Sequence, residues 1–284
     1  MDQVRLLAPL TVAVLTALAF DRAIARRGLQ PPGLAVGGVT GWRARRFAAT
    51  WVLSFAFYLV VYLPLATFGR EVELDPARLS SWQLFLGHGV LLGTLVVWCA
   101  AGFAGVPQVP ARRQAAVWVR QIGLVASRPG VEIMIGLGTG VVAWAVVLGT
   151  MLLLTAVLAV LGASELLPQR MPAMVAALGA LPVWLRLAIS LSAGVAEEVF
   201  FRGFLQPRAG VLASTALFVA AHLGYQQPWM LVGVTLLSLF FAALARWRQS
   251  VWAAVTAHAV FDAIQLLWLV PLALDASGTP GSPW

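Results

Sequence analysis

Glu197-Glu198-Val199-Phe200-Phe201-Arg202 sets three ionisable side chains in a run that is otherwise apolar, reaching back to Leu187 and on to Leu205. No aqueous loop is evident on either side. Carboxylates and a guanidinium so placed cost on the order of several kcal/mol each unless paired or hydrated, so by default they mark a functional site inside a helical bundle.

The rest of the 284-residue chain agrees with that reading. It is 61% hydrophobic and 11% charged, against about 25% charged in ordinary domains, which excludes a soluble globular protein. Several apolar runs exceed the roughly 18–20 residues needed to cross a bilayer. The expected fold is all-α: a polytopic membrane helical bundle of about eight transmembrane helices with a polar site inside. All nineteen basic residues are arginine and the formal net charge is +8. They are scattered through short inter-helix loops rather than clustered as a groove, so membrane orientation explains them and no nucleic-acid partner is expected. Cys99 is the only cysteine, so no intrachain disulfide forms and the redox compartment is not readable from it.

In chain order, spans are expected at about Val4–Phe20, Phe47–Phe68, Trp82–Val106, Val131–Leu161, Pro182–Leu205, Val211–Leu223, Pro228–Ala245 and Val251–Pro271. The first superficially resembles a signal peptide, but Arg22, Arg26 and Arg27 follow at once and favour an uncleaved helix. Residues 107–130 interleave Arg112, Arg113, Arg120 and Arg128 with apolar residues and read as an amphipathic segment on the inner surface. Residues 171–181 read as an interfacial piece. The sixth span is short for a crossing, so its outer end is expected to stop inside the bundle. Gly89-Val-Leu-Leu-Gly93 has the small-residue spacing that permits close helix contact. The tail, 276–284, is rich in Gly, Pro and Ser and reads as disordered. The loops after the odd-numbered spans hold thirteen of the nineteen arginines. That bias predicts both termini outside and the odd loops cytoplasmic.

Of the acidic residues, only Glu197, Glu198 and Asp262 lie deep in apolar sequence. His222 and His258 lie in the sixth and eighth spans, and His88, between two glycines in the third, reads as a packing or interhelical bonding residue. Glu198 and Arg202 stand four apart in the order that favours a helical ion pair. His258 and Asp262, and Phe218 and His222, share helix faces in the same way. Glu197 projects about 100° away from Glu198 on an ideal helix. Glu198 is thus neutralised by Arg202 while Glu197 stays free to face a cavity. Counted from their cytoplasmic ends, Glu197, His222 and His258 all fall roughly 12–18 Å deep. A partly desolvated carboxylate beside an imidazole can act as general base toward water, and a second His with a neighbouring protonated carboxyl can donate to an oxyanion. The same Glu197, His222, His258 and Asp262 also suit a divalent metal such as zinc with a bound water. Both a metal-free and a metal-assisted hydrolysis fit the inventory.

Glu197-Glu198-x-x-x-Arg202, Phe218-x-x-x-His222 and His258-x-x-x-Asp262, in that order on separate helices, resemble the motifs of the CPBP family of intramembrane proteases, which includes the type II CAAX prenyl endopeptidases. The resemblance covers about residues 182–271. It implies that Glu197, assisted by His222, activates the attacking water. It further implies that His258 and the residue at Asp262 stabilise the oxyanion, with Glu198 and Arg202 in structural support. The CAAX-processing branch usually has Asn at the last position, whereas this chain has Asp262. An ionised Asp262 would oppose an oxyanion, so it must be protonated, act through His258 or bind a metal. Phe218 reads as packing that lines the substrate cavity.

The chain is accordingly divided into N-terminal helices and basic amphipathic loops at 1–170, a catalytic core at 171–275, and the tail. The expected activity is endoproteolysis of a membrane-associated or lipidated protein in a cell membrane. A bacterial inner membrane suits the all-arginine complement, and the expected site opens toward the cytoplasmic half. The rivals are a transporter or proton or metal conductor, for which midplane Glu, His and Asp are equally natural, and a non-catalytic scaffold.

Overall fold

A computed structural model describes residues 2–26, 51–63, 81–100, 111–163, 167, 171–225 and 227–276, and every regular element among them is helical. The expected second loop, most of the loop arginines before Arg112, and the tail beyond Ala276 lie outside the described residues. Ala276 itself closes a helix.

The helices are α1 (Asp2–Arg26), α2 (Trp51–Tyr62), α3 (Leu86–Ala100), α4 (Ala111–Gln121), α5 (Pro129–Val160), α6 (Ala173–Gly179), α7 (Val183–Glu197), α8 (Val211–Ala221), α9 (Pro228–Arg248) and α10 (Trp252–Ile264). Helix α7 runs on through a π-helical stretch, Glu198–Leu205, and α10 through another, Gln265–Leu269, into Val270–Ala276. Among the described residues, three helices are long and apolar enough to cross a membrane by length and composition: Pro129–Val160, Trp229–Arg248 and Trp252–Ala276. Four more helices are apolar but shorter. The sixth expected span is the short α8, which ends at Ala221 so that His222 caps it instead of lying within it.

Helix starts follow the local sequence. Pro129 and Pro228 stand in the first turns of α5 and α9, where a missing N–H costs nothing. Glu132 in the first turn of α5 is held bidentately by Arg248 from the last turn of α9, at 2.7 and 3.2 Å. Each charge sits at the helix end whose dipole favours it.

Small residues decide which helices meet. A Cβ added at Gly140 on α5 would stand 2.7 Å from the Ala257 carbonyl oxygen, and one at Gly136 the same distance from that of Ala253. On α7, a Cβ at Gly194 would lie 2.7 Å from the Val255 carbonyl oxygen. Helix α10 is therefore gripped between α5 and α7 at backbone contact. At Gly89 and Gly93, whose spacing permits close contact, nothing among the described residues lies within 4 Å of an added Cβ. Phe57, Phe200, Phe201, Phe204 and Leu95 fill one core around the π-helical stretch, while Ala143, Phe241, Ala254 and Ala257 fill another between α5, α9 and α10. The outward face of α5 exposes Val142, Val146, Leu152 and Leu153, an apolar surface that suits lipid rather than water.

Candidate active site

The two adjacent glutamates straddle the change from α to π geometry, with Glu197 closing α7 and Glu198 opening the π-helical stretch. Single π turns recur at functional sites because they re-aim side chains without ending the helix. Here the two carboxylates part company.

Glu198 is fully buried and engaged on both sides. Its Oε2 is ion-paired with Arg202 Nε at 3.1 Å, and its Oε1 accepts from His258 Nδ1 at 2.8 Å. The Arg202 guanidinium lies 4.2 Å from the Phe218 ring centroid and donates through Nη2 to the Ser238 carbonyl at 3.3 Å. Phe241 stacks on the His258 ring at 5.1 Å. With Nδ1 occupied, His258 turns Nε2 toward Asp262 Oδ2, 3.5 Å away, and the Asp262 side chain is a quarter exposed at 26%.

Glu197 sits in looser company. His222 Nε2 is 3.9 Å from its Oε2, and His88 Nε2 is 3.9 Å from its Oε1. Both distances are too long for a direct hydrogen bond and are the kind that a bridging water spans. Glu197 Oε2 is buried yet has no hydrogen-bond partner among the described residues. The tautomers follow from the outer partners. His222 Nδ1 donates to the Phe218 carbonyl at 2.8 Å, leaving Nε2 as an acceptor when the ring is neutral. Ser192 gives its hydroxyl proton to the Ile189 carbonyl at 3.1 Å, so its oxygen accepts from His88 Nδ1 at 3.0 Å. His88 thereby presents Nε2 to Glu197 as well.

The structure thus brings Glu197, Glu198, Arg202, Phe218, His222, His258 and Asp262 into one centre. Phe218 packs between Arg202 and His222, stacking on the latter at 4.6 Å. Two features escaped the sequence reading. His88 belongs to the centre, and Glu198 does more than neutralise Arg202, because it also holds His258. The available signal for His88 was only its place inside an apolar span, which it shares with the other two histidines. Tyr225, whose ring lies 5.7 Å from that of His222, also borders the centre within electrostatic reach of Glu197 and Asp262.

The four candidate metal ligands do not converge on a cation. Both His258 nitrogens face carboxylates and His222 Nδ1 faces a backbone carbonyl. Among the described residues, no group of three or more His, Cys, Asp or Glu side chains is disposed to hold a metal ion.

An all-helical apolar bundle enclosing a carboxylate–imidazole centre defines the class: a membrane protein with a polar site among its helices. Residues 179–264 match the family model described as Rce1-like, type II CAAX prenyl endopeptidase. Over that stretch the chain is similar to the protease family that its three motifs led one to expect. All seven motif residues fall inside the match, and His88 falls outside it. YpbD of Bacillus subtilis, an uncharacterized protein, is 32% identical over 77 residues, 27% of this chain and 41% of that protein. The match thus spans less than half the length of this curated relative. No solved structure matches the chain.

Proposed function

We propose that this protein is an intramembrane endopeptidase in which Glu197 activates water against a peptide bond of a membrane-associated or lipidated protein. The observation that carries the reading is the contrast between the two glutamates: Glu198 is engaged at close range, and Glu197 faces two imidazoles across 3.9 Å gaps. A water between Glu197 and His222 gives its proton to the carboxylate as its oxygen adds to the scissile carbonyl carbon. The carbonyl oxygen becomes an oxyanion and accepts a hydrogen bond from Nε2–H of His258 in its imidazolium form, whose other N–H Glu198 holds. Asp262, protonated or acting through His258, serves that same oxygen. Collapse of the intermediate breaks the C–N bond, and the proton held on Glu197 passes to the leaving amine. His88, anchored by Ser192, steadies the far oxygen of Glu197 through a water that donates to both Nε2 and the carboxylate.

Residues 171–275 form the catalytic unit in this reading, with the site open to the cytoplasmic half of a bacterial inner membrane. Purified protein and a quenched-fluorescent peptide ending in a prenylated CAAX sequence test it. Cleavage by the wild type that survives Glu197→Gln sinks the base assignment. Glu197-dependent proton flux into proteoliposomes, without hydrolysis, would instead identify a conductor.

A further inference from the structure

The second polar feature of the bundle lies at the other end of the Arg202 turn. There α4, the end of the π-helical stretch and the α9–α10 turn enclose a cavity of about 380 Å³. Its lining includes Arg120, Arg202, Gln206, Arg246, Gln249 and Ser250, and among the described residues it includes no aspartate or glutamate. The nearby Glu132 is already held bidentately by Arg248. Arg120 and Arg246 form no ion pair among the described residues. Arg202 is only 3% exposed, yet its Nη1 has no hydrogen-bond partner, and neither does the buried Oε1 of Gln206. Two guanidiniums without an ion pair, a free N–H on the Glu198-paired Arg202 and one free acceptor call for a ligand that is anionic and also carries a hydroxyl.

The wall is built in advance. Val251 N–H donates to the Gly123 carbonyl at 3.1 Å, and Trp252 Nε1 donates to the Leu124 carbonyl at 2.8 Å. These bonds tie the α4–α5 connection to the α9–α10 turn. The level in the membrane is marked too. Arg246 and Arg248 end an apolar helix, and Trp247 stands 66% exposed beside them, the pattern of a helix end at the headgroup layer. Basic pockets between helices at that level accept phosphorylated headgroups.

We propose that this cavity binds a phosphate group, carried by an anionic phospholipid headgroup or free in solution. The proposal uses no step of the hydrolysis above. The full-length protein would be titrated with phosphatidylglycerol and followed by native mass spectrometry, with phosphatidylcholine as the neutral arm. Its unfolding temperature would be measured in inorganic phosphate against chloride at matched ionic strength. One phosphatidylglycerol retained per chain identifies the lipid as the source, and protection by inorganic phosphate alone identifies the free ion. In either arm, Arg120→Ala with Arg246→Ala should weaken binding about 25-fold, on the order of fivefold per arginine. Arg113→Ala with Arg128→Ala removes the same charge elsewhere and should leave binding unchanged. Arg120→Glu, at an exposed position, repeats the test without relying on the double variant to fold. Equal loss in both double variants, or no preference over phosphatidylcholine and chloride, overturns the proposal.

Discussion

The two halves of the candidate site differ by about an ångström, and that ångström separates scaffold from reagent. On the closed side, His258, Glu198 and Arg202 touch at 2.8 and 3.1 Å under a lid of Phe218 and Phe241. This dry cluster commits the Glu198 carboxylate to its two partners and leaves His258 Nε2 turned toward the site. On the open side, His88, Glu197 and His222 stand 3.9 Å apart, with side chains 16–17% exposed. Looser contact and partial exposure are the difference. Adjacent residues of one type thus acquire opposite duties, because one turn of π-helix separates their surroundings.

Substitutions on either side should break in different ways. Glu197→Gln keeps the shape and removes the base; cleavage is expected to fall on the order of 10²–10⁴-fold, while thermal unfolding stays where it was. A large fall in melting temperature would mean that Glu197 belongs to the scaffold after all. Glu198→Ala is expected to do the reverse first, stranding Arg202 and His258 in the core at a cost of about 3–5 kcal/mol, read as a lowered unfolding midpoint in detergent. Gly194→Ala forces α7 and α10 apart, because its Cβ would stand 2.7 Å from the Val255 carbonyl oxygen. Overpacking of this kind costs about 1–3 kcal/mol, and cleavage should fall with it as His258 leaves Glu198. The mildest change is His88→Gln, for which kcat should drop about tenfold through misplacement of Glu197, with KM and melting temperature unchanged. A matching loss of stability would assign His88 to packing alone.

Much of this was legible in the sequence, for reasons that are local. Glu198 and Arg202 stand four apart on one helix, so their pairing needed only helical periodicity. The apolar lengths announced helices, and among the described residues three are long and apolar enough to cross a membrane by themselves. What stayed hidden depended on contacts remote in the chain. Nothing near His88 says that its ring meets a carboxylate 109 positions later, and its flanking glycines suggested packing. The bond from His258 to Glu198 crosses 60 positions, and motif spacing cannot choose which glutamate the histidine takes. Gly136 and Gly140 went unnoticed for the same reason, since a small residue reveals its use only when the opposing backbone is in place. The π-helical stretches carry no composition signal of their own.

The grip of α5 on α10 has a consequence for where this protein can be cut. Similarity to the protease family runs from 179 to 264, but the helix bearing His258 leans its alanine face on Gly136 and Gly140, well upstream of that border. Recognisable ancestry and mechanical independence therefore end at different places. A minimal version trimmed to the recognised segment would discard the buttress that keeps its second histidine in register.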